Sequence, residues 1–120
     1  MAAPNVFDAE CSARHALELI ATKWAMLIMP ALSRGPMRNS ALLRKIGGIS
    51  QKMLTQTLRD LERNGLVVRR DMQTVPPHVE YELSHLGRSL SEALITLDNW
   101  AERYADALDA ARERFDAGQG

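Results

Sequence analysis

Residues 48–65 have the sequence of one short helix with a clear start, a clear end and two different faces. Ser50 is placed to cap the first turn, because a serine hydroxyl accepts a hydrogen bond from a free backbone N–H there. Gly65 follows the last turn, where a residue in the left-handed conformation is favoured. An apolar stripe at i, i+4 and i+7 spacing lies between them, formed by Leu54, Leu58 and Leu61. A chain with such a helix must supply further elements that cover this stripe.

The opposite face of this helix carries side chains that hydrogen-bond base edges and phosphates. They cluster toward the helix start, and a helix that enters a major groove reads bases mostly with its N-terminal residues. Any exposed helix face is polar, however, and glutamine, lysine and arginine are good helix formers. The helix on its own is therefore consistent with either a DNA-reading or a merely solvated face. That face consists of Gln51, Lys52, Thr55, Gln56 and Arg59.

The surrounding segments predict a winged helix-turn-helix, a mostly α fold of the α+β class. Residues 38–46 read as a second short helix, capped by Asn39 or Ser40, and two glycines then turn the chain. Residues 66–70 and 79–83 have the composition of two strands. The loop between the strands contains two consecutive prolines, which cannot continue a ladder, so it is expected to project as a wing.

The net charge is zero, whereas a DNA-binding domain is usually basic. The distribution matters more than the total. Residues 34–70 contain nine Lys or Arg and two acids, whereas residues 84–120 contain four Arg and seven acids. The positive charge is therefore concentrated on the helix-turn-helix, and a dimer would double that basic surface.

The end of the chain predicts a dimerisation helix over residues 84–117, with Ser84 as its cap and Gly87 tolerated in its first turn. Its apolar stripe is longer than a small domain covers, and an uncovered stripe would be an exposed apolar patch. Its first turns are expected to pack on the domain and the remainder on a partner helix. Residues 11–32 supply a second apolar surface, interrupted at Thr22. The predicted homodimer interface consists of Leu17, Trp24, Leu94, Leu97, Trp100, Ala101, Tyr104 and Leu108.

Composition argues against membrane and secreted proteins. No apolar run is long enough to span a membrane, and no basic segment followed by an apolar core marks a secretory signal. A single cysteine forms no internal disulfide and fits a reducing compartment, so we expect a cytoplasmic protein. The expected organisation is a flexible N-terminal arm (residues 1–10), a winged helix-turn-helix DNA-binding domain (11–83), a C-terminal dimerisation helix (84–117) and a disordered tail (118–120).

An enzymatic function is not expected. The three histidines lack metal-binding spacing such as H-E-x-x-H, and there is no glycine-rich phosphate loop. Cys11 with His15 four residues later imitates a nucleophile–base pair, but nothing resembles an orienting third group or an oxyanion site. We therefore predict no catalytic residues, no metal and no cofactor.

A family pattern extends over most of the chain, from residue 11 to about residue 100. Its blocks are LELI and KW within residues 17–24, GP at 35–36, GISQKMLTQ at 48–56, GLV at 65–67, RR at 69–70, VPP at 75–77, VEY at 79–81 and LGRSL at 86–90. These blocks resemble the HxlR-type winged helix regulators of bacteria. The resemblance implies a homodimeric transcription factor joined through its N-terminal and C-terminal helices. It also implies a cysteine near the N-terminus that in several members senses oxidants or electrophiles, and Cys11 occupies that position.

The chain departs from this family pattern at several positions. Ser12 replaces the proline that usually follows the cysteine, Asn39 replaces an aromatic residue, and Ala41 replaces an acid. In the wing, Met72 stands where tyrosine is frequent, and His78 replaces a basic residue. Histidine is mostly neutral at pH 7, so the phosphate contact of the wing is expected to be lost or pH-dependent. The residues predicted to contact DNA are Arg38, Ser50, Gln51, Lys52, Thr55, Gln56, Arg59, Pro77 and His78.

Cys11 directly precedes the first predicted helix, which leaves two interpretations. A helix N-terminus lowers a thiol pKa and favours the reactive thiolate, and Arg14 and His15 add positive potential, opposed by Asp8 and Glu10. Alternatively, the thiol is an inert apolar group at the dimer interface.

The predicted function is sequence-specific binding of double-stranded DNA by a homodimeric regulator, at an inverted repeat, with a response to oxidants through Cys11. Two alternatives remain. One is a response to an unknown small-molecule effector at the dimer interface, in a pocket lined by Trp24, Met26 and Trp100. The other is a winged helix used only for protein–protein contact.

Overall fold

The computed structural model describes residues 3–119 and has the predicted winged helix-turn-helix, a mostly α member of the α+β class. The N-terminal apolar region divides at Thr22, which caps the second helix by accepting from the backbone N–H of Ala25. The elements are α1 (Ser12–Ile20), α2 (Lys23–Ala31), a 3₁₀ turn (Leu32–Arg34), α3 (Asn39–Lys45), α4 (Gln51–Arg63), β1 (Val67–Asp71), β2 (Val79–Leu83), α5 (His85–Arg103) and α6 (Ala105–Gln119).

α4 forms where the sequence predicts it because both of its ends are capped locally. The Ser50 hydroxyl accepts from the backbone N–H of Met53 at 3.1 Å. At the other end Gly65 has a φ of +73°, and the N–H of Leu66 donates to the carbonyl of Leu61 at 3.0 Å. This is a Schellman ending, which satisfies the last carbonyls of a helix. The direction of α4 is therefore fixed at each end.

α2 lies at the centre of the core, and the leucine stripe of α4 is buried with it. Ile28 and Met29 of α2 have no exposed surface. α5 closes the other side of α2 with Leu94, which is only 6% exposed. The assignment of Leu94 to the dimer interface is therefore wrong, because its side chain is already covered by its own chain.

The wing is an antiparallel pair in which Val67 of β1 faces Leu83 of β2. β1 begins one residue later than predicted, because the N–H of Leu66 donates to Leu61 at the end of α4 instead of to β2. The Leu66 carbonyl continues the strand pairing by accepting from the N–H of Ser84, the next residue in register, at 3.0 Å. The wing is thus tied to α4 on one side and to α5 on the other.

A backbone bridge also joins the chain before α3 to the wing. Met37 and Tyr81 exchange two backbone hydrogen bonds, of 2.9 and 2.8 Å. This bridge holds the chain extended up to Arg38, which becomes the N-cap of α3 without a side-chain cap bond. The prediction that Asn39 or Ser40 caps this helix is therefore wrong.

The first turn of α5 lies against the end of α4. Ser84 caps α5 as predicted, with its hydroxyl accepting from the Gly87 N–H at 3.0 Å and donating to the Gly65 carbonyl at 2.6 Å. A Cβ on Gly87 would overlap the carbonyl oxygen of Leu66. Gly87 is therefore required by this close approach, rather than tolerated as the sequence suggests.

The C-terminal segment forms two helices, so the prediction of one long helix is wrong. α5 ends at Arg103, Tyr104 leaves the helical conformation with φ −108° and ψ 13°, and α6 follows. The break contains neither glycine nor proline, so the local sequence does not mark it. α6 continues through residues 118–119, which the sequence places in a disordered tail. The remainder of that tail, Gly120, lies outside the described residues.

The N-terminal part of the chain consists of turns followed by two short helices. Residues 3–10, predicted as a flexible arm, fold against α1, while the first two residues of that arm lie outside the described residues. The side chain of Arg14 donates to the Phe7 carbonyl at 3.3 Å, and a ring nitrogen of His15 lies 3.1 Å from the Ala9 carbonyl. Among residues 3–119 no single helix is long and apolar enough to cross a membrane. The first two helical segments reach that length only together, and they meet at 80°.

Candidate nucleic-acid interface

α4 presents its predicted polar face to solvent. Lys52, Gln56 and Arg59 lie at i, i+4 and i+7, and so project in one direction; we call them the outward row. Arg63, four residues further on, is also exposed and extends this row. Arg63 is not among the residues predicted to contact DNA, although its i, i+4 spacing from Arg59 marks it as part of the same face. All five α4 residues predicted to read DNA are exposed, namely Gln51, Lys52, Thr55, Gln56 and Arg59.

Two glutamines of this face are held by hydrogen bonds within α4. The Gln51 amide donates to the Thr55 hydroxyl at 3.0 Å, and the Gln56 amide donates to the Asp60 carboxylate at 3.1 Å. Residues four apart are neighbours on a helix surface. Both glutamine side chains therefore have a preferred orientation in the free protein.

Two of the predicted DNA-contacting residues lie at helix starts. Arg38 is exposed at the N-cap of α3, directly after the bridge to β2, so its backbone is anchored while its side chain faces solvent. The hydroxyl oxygen of Ser50 is engaged in capping α4. Ser50 therefore fixes where α4 begins, and its hydroxyl proton remains available for a phosphate.

The wing carries less free positive charge than the sequence suggests. Arg70 of β1 forms an ion pair with Glu82 of β2. Nε2 of His78 lies 2.8 Å from Oε2 of Glu80, and Pro77 beside it is exposed. The acids of β2 thus partner two basic groups of the wing. α4 therefore carries the larger part of the candidate interface.

Comparison with known proteins agrees with this geometry. The model of the HxlR-like helix-turn-helix family matches residues 19–109. The chain belongs to this family. The resemblance predicted from the sequence blocks is confirmed, and similar proteins are named HTH-type transcriptional regulators.

This HxlR-like chain is 42% identical to YtfH of Escherichia coli (strain K12) over 109 residues, which cover 91% of this chain and 86% of the relative. Among solved structures, it is similar to the transcriptional regulator ytfH from Salmonella typhimurium, with a TM-score of 0.86, 40% identity and coverage of 92% and 99%. It is also similar to the redox regulator HypR in its reduced form, with a TM-score of 0.75, 34% identity and coverage of 82% and 97%.

A row of exposed apolar side chains runs along the C-terminal segment of the HxlR-like chain. Trp100 and Tyr104 lie side by side, with ring centroids 5.5 Å apart. Trp24, in contrast, is half-buried against the core, and its ring edge lies 3.9 Å from where a side chain on Gly48 would begin. Trp24, which the sequence assigns to the dimer interface, therefore packs on the core of its own chain. The predicted interface residues that are exposed are Leu17, Leu97, Trp100, Ala101, Tyr104 and Leu108.

Cys11 is the half-buried N-cap residue of α1. The backbone N–H of Asn5 donates to its sulfur at 3.3 Å. This bond is the largest cause that lowers the pKa of the Cys11 thiol; the N–H groups of Ala13 and Arg14 act in the same direction, against desolvation. The folded-back N-terminal turns therefore favour the thiolate.

The ligand pocket predicted between Trp24, Met26 and Trp100 would form only between two subunits and stays a prediction; in the single chain, Trp24 and Met26 pack against the core. A surface cavity of about 310 Å³ lies within the single chain, between α2, the end of α3 and α5. Burial, followed by the charge of Glu102, raises the pKa of Asp98 at its edge. Among residues 3–119 no three His, Cys, Asp or Glu side chains are grouped as metal ligands. The cavity lining includes Leu27, Pro30, Ala31, Lys45, Ile46 and Asp98.

Proposed function

We propose that this protein binds double-stranded DNA sequence-specifically through α4 and regulates transcription as a homodimer. The observation that carries the proposal is the outward row on a helix that is capped at both ends and packed on α2. Glutamine offers a donor and an acceptor to a base edge, and lysine and arginine neutralise phosphates. A DNA-binding regulator needs no enzyme activity or cofactor. We propose that it acts in the cytoplasm, where it meets the DNA.

Duplex binding as a function of salt tests this function. A mixture of random-sequence duplexes should bind at low salt. Its affinity should fall steeply between about 50 and 200 mM salt, because phosphate contacts release counterions. A winged helix used only for protein–protein contact would show no duplex binding even at low salt, and that result would refute the proposal.

The proposal of a homodimer rests on an exposed apolar row that runs from α5 across Tyr104 to α6. Leu97, Trp100, Tyr104 and Leu108 are each between 41 and 51% exposed. A two-fold pairing would cover this row in both copies at once, whereas a monomer would leave it as an apolar patch. The two α4 helices should then be about 34 Å apart, or a multiple of that distance, and the operator should be an inverted repeat.

Leu97→Glu is expected to convert the dimer into a monomer. Leu97 is 45% exposed in the single chain, so a glutamate is tolerated there, whereas a paired interface would bury an unpaired charge at a cost of about 3–5 kcal/mol. Sedimentation at micromolar concentration should give a dimer mass for the wild type and a monomer mass for the variant. Val68→Glu, at a 40% exposed apolar position of β1, is the control and should stay dimeric. A monomeric wild type would contradict the proposal.

We also propose that Cys11 senses oxidants. A lowered pKa increases the fraction of thiolate, which is the reactive form, and the similar structure HypR is described as a redox regulator. With one cysteine per chain, the reversible products are a sulfenic acid, a mixed disulfide with a small thiol, or a bridge between subunits.

Modification of Cys11 would act through α1. The sulfur lies at the start of the helix that carries Leu17 of the proposed interface, so an adduct would favour a different subunit arrangement. A tenfold loss of operator affinity requires only about 1.4 kcal/mol. Cys11→Ser should bind DNA like the wild type and keep binding after peroxide or quinone treatment. Equal loss of binding by both proteins would contradict a sensing role.

Asn5→Pro is expected to raise the pKa of Cys11, because proline lacks the N–H that is the largest cause of its lowering. Alkylation by iodoacetamide follows the thiolate, so its rate rises as pH passes the thiol pKa. The midpoint should lie below that of an ordinary cysteine in the wild type and higher in Asn5→Pro. Asn5→Ala keeps the N–H and should match the wild type. Identical midpoints for all three proteins would show that this bond does not tune the thiol.

A small-molecule effector remains the second candidate signal, and the cavity between α2 and α5 favours it. That cavity is lined by apolar side chains together with Lys45 and Asp98, and small-ligand sites combine mostly apolar walls with a few polar groups. If Cys11→Ser and the wild type respond alike to oxidant, the signal should be sought at this cavity.

A further inference from the structure

The central residue of the outward row is held by an acid. The Nε2 atom of Gln56 donates to Oδ1 of Asp60 at 3.1 Å, one helical turn further along α4. Gln56 is exposed, whereas Asp60 is half-buried at the edge of the face. The backbone carbonyl of Asp60 is itself engaged, because it accepts from the side-chain amide of Asn64 at 2.8 Å. Because Asp60 is half-buried and its backbone is bonded to Asn64, its carboxylate is held in place to accept from the Gln56 amide.

The charge of Asp60 is otherwise unfavourable for a DNA-binding surface. It stands among Lys52, Arg59 and Arg63, and a carboxylate there repels the phosphates that these cations attract. Within the described part of the chain, no Lys, Arg or His nitrogen lies within 4.0 Å of the Asp60 carboxylate. Its side-chain partner is instead the Gln56 amide. An acid at this position is thus explained by what it does to Gln56 rather than by an ion pair.

The bond to Asp60 determines what Gln56 can offer to a base. A free glutamine amide can turn over and exchange its donor and acceptor ends. In the anchored amide one N–H donates to Asp60. The second N–H, a donor, and the carbonyl oxygen, an acceptor, are then fixed in one spatial order. Glutamine reads adenine with this pair, donating to N7 and accepting from N6. A fixed order therefore favours one base and disfavours its alternatives.

We propose that Asp60 is a positioning residue that sets the base preference of Gln56 by holding its amide in one orientation. This inference rests on the proposed reading of DNA by α4. It predicts that Asp60 makes binding weaker but more selective. The charge lowers the affinity for every duplex, while the hydrogen bond raises the discrimination at one base pair.

The test compares Asp60→Ala and Asp60→Asn on the operator and on all its single base-pair variants. Both substitutions remove the charge, so both should bind every duplex more tightly than the wild type. Asparagine keeps an oxygen acceptor for the Gln56 amide and should retain the base preference. Alanine removes the acceptor and should lower the preference at one position by about fivefold or more. The position should be the one at which Gln56→Ala also loses preference, and Gln56→Ala with Asp60→Ala should lose no more than Gln56→Ala alone.

Several results would overturn the inference. If Asp60→Ala keeps the wild-type preference while Gln56→Ala loses it, Asp60 does not position Gln56, yet α4 still reads DNA. If Asp60→Asn loses the preference as fully as Asp60→Ala, the effect belongs to the charge and not to the hydrogen bond. If Gln56→Ala changes the preference nowhere, both the inference and the reading of bases by Gln56 fail.

Discussion

Replacing Gly87 with alanine is expected to lower the free energy of unfolding by about 3 kcal/mol. This loss corresponds to a melting temperature that is about 10 °C lower. An alanine inside a helix normally stabilises it by about 1 kcal/mol relative to glycine. Here the added Cβ would overlap the carbonyl oxygen of Leu66. That carbonyl cannot move freely, because it accepts the N–H of Ser84. α5 would have to shift away from the end of α4.

Thermal and urea unfolding at one fixed protein concentration measure this effect. Gly47→Ala is the control, because a Cβ there meets no atom within 4 Å and should change stability little. A Gly87→Ala variant as stable as the wild type would show that α5 and the end of α4 are not packed this closely.

Replacing the whole outward row with alanine is expected to reduce operator affinity by at least about 100-fold, or about 2.7 kcal/mol. Loss of a base contact by Gln56 costs about 1–3 kcal/mol, and loss of a phosphate contact by Lys52 or Arg59 weakens all duplexes and lowers the salt slope by about one each. The fold should survive, because these side chains are exposed and alanine is a good helix former.

Fluorescence anisotropy with a labelled operator measures the loss, and circular dichroism checks the fold. Arg114→Ala removes an exposed cation from α6 and should leave the affinity unchanged. Undiminished specific binding by the triple variant would place the DNA-reading surface elsewhere than on α4.

The sequence predicts α4 well because everything that defines it is local. Ser50, Gly65 and the leucine stripe lie within a few turns of one another, and each acts through the backbone or the face of the same helix. The outward row follows from the same periodicity. The hydrogen bond between Gln56 and Asp60 also has the i, i+4 spacing that a helix makes predictable from sequence.

The features that the sequence did not predict depend on contacts between distant segments. Gly87 is required because of Leu66, and Arg38 becomes a helix cap because Met37 pairs with Tyr81. Leu94 belongs to the same periodic stripe as Leu97, but its burial depends on how far α2 extends along α5. A periodic pattern identifies a face without stating what covers it. The end of α5 at Tyr104 likewise lacks a glycine or proline signal.

Selection of bound duplexes from a random pool tests the central claim most directly. The full-length protein should enrich an inverted repeat, with half-site centres about 10 base pairs apart or a multiple of this, because two α4 helices related by a two-fold axis read successive major-groove segments. The outward-row variant should enrich nothing under the same conditions. A wild-type pool that remains random, or the same enriched sequence with both proteins, would contradict sequence-specific reading by α4.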